Sequence, residues 1–176
     1  VVTVMSNLGF HRFCEREGIH AEVTKVGDRY VLENMVKNGY SIGGEQSGHV
    51  ILREYMTTGD GQLTALQVLA AVKRSGKTLR ELADVMQVLP QVMVNVRADA
   101  QMKSQLELDE GVARRVERWR QRFGAAGRIL VRVSGTEPLI RVMVEGEDKA
   151  EITAAAEEIA TTIRERLGHD ESDSGL

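Results

Sequence analysis

Residues 132–141 read RVSGTEPLIR and hold the densest set of side chains that could do chemistry. Ser134, Gly135 and Thr136 lie between two strand-like runs, with Arg132 and Arg141 on either side. Side chains alternate across a strand. If Val131 and Val133 face a core, Arg132 faces away from it, and Arg141 likewise lies opposite Ile140 and Val142. Both guanidinium groups then sit on the non-core face, close to the turn. The two hydroxyls can donate hydrogen bonds, and Gly135 lets backbone N–H groups approach a ligand. Successive N–H groups in such a turn form an anion-binding concavity, and arginine forks match phosphate oxygens. The pattern predicts phosphate binding; the plain alternative is a surface hairpin with charges.

A second loop, GGEQSGH, places Glu45 and Ser47 two residues apart. In an extended segment they project to the same side. A carboxylate beside a hydroxyl suits vicinal sugar hydroxyls, each of which donates and accepts. The alternative is a glycine-rich turn with a solvated glutamate. His49 follows and reads as a structural histidine at a strand start. In a third cluster, KVGDRY, Lys25, Asp28 and Arg29 flank Gly27 at a helix start. Helix N-termini favour anions, but Asp28 can equally be a cap beside solvated cations. Cys14 shares a helical face with Phe10 and Phe13, which predicts buried packing rather than a nucleophile. Asp60 in TTGDG is one carboxylate, too few for magnesium or calcium, and reads as a helix cap.

These loops need elements to carry them. Residues 1–5 are apolar throughout and predict a buried strand, and IHAEVTK alternates as a half-buried one. Ser6 or Asn7 can cap a first helix and Asp28 a second. QLTALQVLAAVKRSG is apolar nearly all round and predicts a deeply buried helix. Thr78 and Glu81 have capping-box spacing. Alternating strands and helices predict an α/β domain with a largely parallel sheet over residues 1–89. Pro90 changes the pattern. QVMVNVR, RILVRV and LIRVMVE alternate as strands, and helices are expected over 109–123 and 148–167. This predicts a smaller α+β domain over 90–168, an antiparallel sheet with two helices on one face. The acidic end at 169–176 is expected to be disordered.

Composition excludes some classes. The 176 residues carry a formal net charge of -3, so no basic field points to nucleic acid or an anionic membrane. A single cysteine fits a reducing, cytoplasmic setting. No apolar run approaches the roughly 20 residues of a membrane span. The apolar start, VVTVM, reads as a cut through a larger protein.

In this order, GGEQSGH, TTGDG and RVSGTEPLIRVMVEG resemble the C-terminal half of the α-D-phosphohexomutase superfamily. TVMSNLG, TKVGDRYV and Gln46 look most like its bacterial members acting on glucosamine phosphates. The resemblance spans about residues 1–167. It implies domains three and four of a four-domain enzyme that interconverts glucosamine 6-phosphate and glucosamine 1-phosphate. A phosphoserine in domain one would donate to the sugar, giving a bisphosphorylated intermediate, with Mg²⁺ held by domain two. Glucose or glucosamine 1,6-bisphosphate would serve as activator. Carried over, Glu45 and Ser47 match the sugar-binding pair. Arg132, Ser134, Gly135, Thr136 and Arg141 match the phosphate-binding loop, and Lys25, Asp28 and Arg29 match a segment facing the cleft. No nucleophile loop and no aspartate-rich metal loop is found here, so the resemblance implies no catalytic residue, no metal ligand and no activity in this chain alone. The expected partner is a phosphorylated hexosamine, with this chain monomeric and the full-length enzyme a dimer. A sister mutase acting on mannose or glucose phosphates and a stand-alone phosphosugar-binding module remain the alternatives.

Overall fold

The computed structural model describes residues 1–168, and the tail at 169–176, expected to be disordered, lies outside the described residues. The chain forms two units, Val1–Val88 and a second from Leu89 onward.

The first unit runs β1 (Val2–Thr3), α1 (Leu8–Arg16), β2 (Val23–Thr24), α2 (Asp28–Asn38), β3 (Ile42–Gly44), β4 (Val50–Leu52), α3 (Gly61–Ser75) and α4 (Leu79–Ala83). Its strands form two pairs, β1–β2 parallel and β3–β4 antiparallel, so the largely parallel sheet expected from the alternation is not what forms. Hydrogen bonds at Val1 join the pairs: its amine donates to Ile42 O, and its carbonyl accepts from Gly44 N–H. Side-chain caps start α1, α3 and α4. Asn7 accepts from Gly9 N–H, Asp60 from Leu63 N–H, and Thr78 and Glu81 form the reciprocal box. Val31, Met35 and Ile51 make the buried core, with Val1, Leu32 and Tyr40 packed against it. Gly43 lets β3 lie on α2, since a Cβ there would come within 2.5 Å of Met35 Sδ and Val31 Cγ1.

Three further expectations fail here. The strand predicted over residues 1–5 is two residues long, and only Thr3 and Met5 in that stretch are buried. In IHAEVTK the strand shrinks to Val23–Thr24, and Ile19 and Val23 are exposed. Helix α3 is not deeply buried: none of its residues is, and Leu66 and Leu69 are 65% and 64% exposed. The cause is common to all three. Apolar pattern records a face that gains by cover, and strand pairs of two and three residues are too small to cover such faces.

The second unit runs β5 (Gln91–Arg97), α5 (Ala100–Gln105), α6 (Glu110–Phe123), a 3-10 turn (Gly124–Ala126), β6 (Gly127–Val133), β7 (Leu139–Gly146) and α7 (Lys149–Leu167). The antiparallel sheet has the order β5-β7-β6. Val92, Val94 and Val96 of β5 align with Val144, Val142 and Ile140 of β7, which align with Ile129, Val131 and Val133 of β6. This face packs against α6 and α7 through Val112, Val116, Trp119 and Phe123, and through Ile152, Ala156, Ile159 and Ile163. Short α5 adds Met102 and Leu106. The opposite face is not simply solvated: Met143 and Glu145 on central β7 are buried as well. On neighbouring β6, Leu130 lies opposite Met143 and Arg128 opposite Glu145. Arg128 donates to the Glu145 carboxylate from Nε at 3.0 Å and from Nη2 at 2.6 Å, which compensates that buried charge.

Candidate functional site

The β6–β7 register pairs Arg132 with Arg141 directly across the ladder. Their neighbours Val131, Ile140 and Val142 pack into the helix-covered core, so both arginines lie on the far face at the loop end. Like charges set opposite each other on a sheet repel. Burial, and then Arg141, push the Arg132 guanidinium below its ordinary pKa. The Nε atoms of Arg132 and Arg141 are buried, and both lack a hydrogen-bond partner among the described residues. Such donors are costly to bury unpaired. Arg141 also holds the Glu137 carboxylate through Nη2.

The loop between these strands is shaped by its own backbone. Ser134 is buried, and its N–H donates to Leu139 O at 2.8 Å. Its Oγ accepts from Glu137 N–H at 3.2 Å, leaving its hydroxyl proton available to donate. Leu139 N–H donates to Glu137 O, and Ala98 N–H to Pro138 O. Lys103 on α5 donates from Nζ to Ser134 O at 2.8 Å and to Glu137 O at 2.5 Å. Among the described residues, no acceptor takes the N–H of Gly135 or Thr136. Gly135 and Thr136 are exposed, and a Cβ on Gly135 would meet nothing within 4 Å. The arrangement offers two arginine Nε donors, two backbone N–H groups and two hydroxyls at one hairpin end, a donor set that suits an oxyanion. Lys103 carries no signal in the local sequence; its contacts span 31 and 34 residues and fall on carbonyl oxygens.

In the first unit, Glu45 and Ser47 lie in the tight connection between β3 and β4, not in an extended segment. Gly48 N–H donates to Glu45 O, and Glu45 N–H to His49 O. The turn still brings the side chains together: Ser47 Oγ lies 3.4 Å from Glu45 Oε2 and 3.0 Å from His49 Nδ1. All three side chains border solvent, and a Cβ on Gly59 of the TTGDG segment would touch the His49 ring. His49 joins this cluster because of the turn, which strand alternation does not reveal.

KVGDRY is less organised. Gly27, at φ 132°, is the N-cap of α2, and no side chain caps it. Asp28 is therefore the first helical residue rather than the cap, and its Oδ1 accepts from Arg29 N–H. Arg29 pairs with Glu33 one turn on, both exposed, and Lys25 is exposed. Cys14 is 3% exposed, and burial raises its thiol pKa. No group of three metal-ligating side chains occurs among the described residues, and Asp60 is occupied as the α3 cap. No helix among them is long and apolar enough to cross a membrane.

Two family models match the chain. Phosphoglucomutase/phosphomannomutase, alpha/beta/alpha domain III, matches residues 1–89, and the phosphoglucomutase/phosphomannomutase C-terminal domain matches residues 93–162. Phosphoglucosamine mutase of Acetivibrio thermocellus is 54% identical over 168 residues, which is 96% of this chain and 37% of the relative. Phosphoglucosamine mutase of Clostridium perfringens is 54% identical over 163 residues, 93% of this chain and 36% of the relative. The chain thus spans little more than a third of the length of these relatives. Among solved structures, Aspergillus fumigatus N-acetylphosphoglucosamine mutase with glucose 1,6-bisphosphate aligns with a TM-score of 0.78 at 19% identity, over 93% of this chain and 38% of that one. The same enzyme with GlcNAc-6P and magnesium aligns with a TM-score of 0.76 at 20% identity, over 92% and 40%.

Proposed function

The chain belongs to the phosphoglucomutase/phosphomannomutase family, and from that premise we propose that it supplies the hydroxyl-gripping and phosphate-gripping parts of a mutase interconverting glucosamine 6-phosphate and glucosamine 1-phosphate. The observation that carries the reading is the facing pair Arg132 and Arg141, each with a buried Nε lacking a partner among the described residues. A bound phosphate would satisfy both and relieve their repulsion. The N–H groups of Gly135 and Thr136 and the hydroxyls of Ser134 and Thr136 complete the grip. The names of the bacterial relatives support the amino-sugar substrate.

Phosphoryl transfer depends on positioning and on stabilising developing charge. In this reading, the second unit holds the phosphate that is not being transferred. In the first, the Glu45 carboxylate accepts from one sugar hydroxyl while Ser47 donates to or accepts from its neighbour. The bisphosphorylated sugar would reorient between two half-reactions, and the same grips serve both if the hydroxyls present alike. Lys25, Asp28 and Arg29 would border the substrate. The described residues do not fit a magnesium site, so no step is assigned to a metal here. The phosphoserine and Mg²⁺ would come from the additional length seen in the relatives, and this chain alone is expected to show no mutase activity in a coupled assay. The full-length enzyme would be cytoplasmic, and its glucosamine 1-phosphate would feed UDP-N-acetylglucosamine synthesis for the cell wall.

The test is an NMR titration of glucosamine 6-phosphate into the ¹⁵N-labelled chain. Saturable shifts of the Ser134, Gly135 and Thr136 amides are expected. Arg141→Ala should weaken binding about ten- to a hundredfold, the range for a lost charge-assisted hydrogen bond. No shift in these amides at millimolar ligand would overturn the reading.

A further inference from the structure

We infer that Lys103 is a positioning residue for the phosphate grip, one that fixes the Ser134–Gly135 peptide so that the Gly135 N–H points away from the lysine and stays free for the ligand. The inference rests on the phosphate reading above. The loop has four backbone N–H donors, since Pro138 has none. Those of Ser134 and Glu137 are taken by Leu139 O and Ser134 Oγ, which leaves Gly135 and Thr136. A trans peptide is planar, with its C=O and N–H antiparallel. Holding Ser134 O at 2.8 Å from Lys103 Nζ therefore turns the Gly135 N–H to the opposite side. On its glycine side little else holds that peptide unit: Gly135 has no side chain, and the space where its Cβ would stand is open. The second bond, to Glu137 O at 2.5 Å, fixes the far end of the same loop.

The lysine is well placed for this task. Met102 and Leu106 anchor α5 in the core, and Asp99 Oδ1 accepts from Met102 N–H at 2.8 Å. A flexible four-carbon stem thus extends from a fixed base. One ammonium satisfies two carbonyl oxygens, and the donors left over in the loop are N–H groups suited to an anion.

The experiment compares the 176-residue chain with its Lys103→Met and Lys103→Arg variants, using inorganic phosphate as the probe. Amide shifts of Gly135 and Thr136 report affinity, and ¹⁵N order parameters without phosphate report how firmly the peptide is held. In Lys103→Met, phosphate affinity is expected to fall about tenfold. The Gly135 order parameter should also fall, while the Val142 and Ile159 methyl shifts and the melting temperature stay put. Lys103→Arg should recover part of both. The affinity ratio should persist near 1 M salt, where the screening length of about 3 Å removes a distant charge effect. Unchanged affinity and unchanged Gly135 order in Lys103→Met would overturn the inference. Moved core methyls would overturn it too, making Lys103 a general brace. A wild-type chain that ignores phosphate would overturn the phosphate grip itself and this inference with it, a failure recognisable because it needs no variant.

Discussion

The Glu45–Ser47 loop and the Ser134–Pro138 loop are both hairpin connections containing a carboxylate and at least one hydroxyl, yet they stand on unlike supports. The first caps strands of three residues above a core of three buried side chains. The second joins strands of seven and eight residues, and nineteen buried residues form the core beneath their inner face. Their internal bonding differs in the same sense. Glu45, Ser47 and His49 touch through side chains at the solvent boundary. Ser134 is buried, and Lys103 ties the loop's carbonyl oxygens to a helix. A phosphate with fixed tetrahedral geometry needs donors held in place, and a rigid frame supplies that. Sugar hydroxyls rotate to meet an adaptable pair.

The contrast can be broken by substitution, and the largest effects are expected at Glu145 and Ile159. Glu145→Gln removes the fully buried carboxylate that accepts from Arg128 Nε and Nη2 and should destabilise the second unit by about 3 kcal/mol, followed by urea unfolding of its methyl signals. A cost near zero would mean that the far face of this sheet is not locked. Next comes Ile159→Ala, a truncation of a fully buried α7 side chain, expected to cost about 2–5 kcal/mol. Leu69→Ala on exposed α3 should stay within about 0.5 kcal/mol. Equal costs would erase the difference between the supports.

Acid sharpens the comparison from another side. Asp109 caps α6 through Val112 N–H and accepts from Arg166 Nε, both at 2.7 Å. The Arg166 hydrogen bond, chiefly, holds its carboxyl below the ordinary value near 4. A depressed folded pKa means the contribution is complete above that ordinary value and fades as pH falls through the lower, folded one. Asp109→Asn keeps a capping oxygen but loses the charge facing Arg166 and should cost up to about 1 kcal/mol at pH 6, with the gap to wild type narrowing by pH 3 in urea midpoints. The two loops themselves should differ in the same sense. Ser134→Ala removes the acceptor for Glu137 N–H and should cost about 1 kcal/mol, whereas exposed Ser47→Ala should change stability by less than about 0.5 kcal/mol. Thermal melts of the two variants check the pair, and a larger loss at Ser47 would invert the contrast.

Much of the second unit was legible because its pattern and its packing agree. The valines and isoleucines expected on the inner face of β6 and β7 align there, although Val133 at the loop end is 39% exposed; alternation alone puts Arg132 and Arg141 on the other face, and the hairpin register then pairs them. Short α5 was missed, since six residues leave too little periodicity to read. In the first unit, α3 shows the limit: its leucines state which surface is apolar, not whether anything covers it. Asp28 and Gly27 exchange roles because a glycine at φ 132° can start a helix with no side-chain cap. Lys103 and His49 depend on where backbone carbonyls and turns carry the chain, and residue identity does not encode that.

Cys14 has a practical consequence. It is the sole cysteine in the sequence, nearly enclosed, and burial keeps its thiol protonated, so maleimide reagents should pass it by. A thiol introduced at exposed Thr136 would be the one that reacts. A fluorophore attached there would report on the loop without background, and the native cysteine would not need to be removed first.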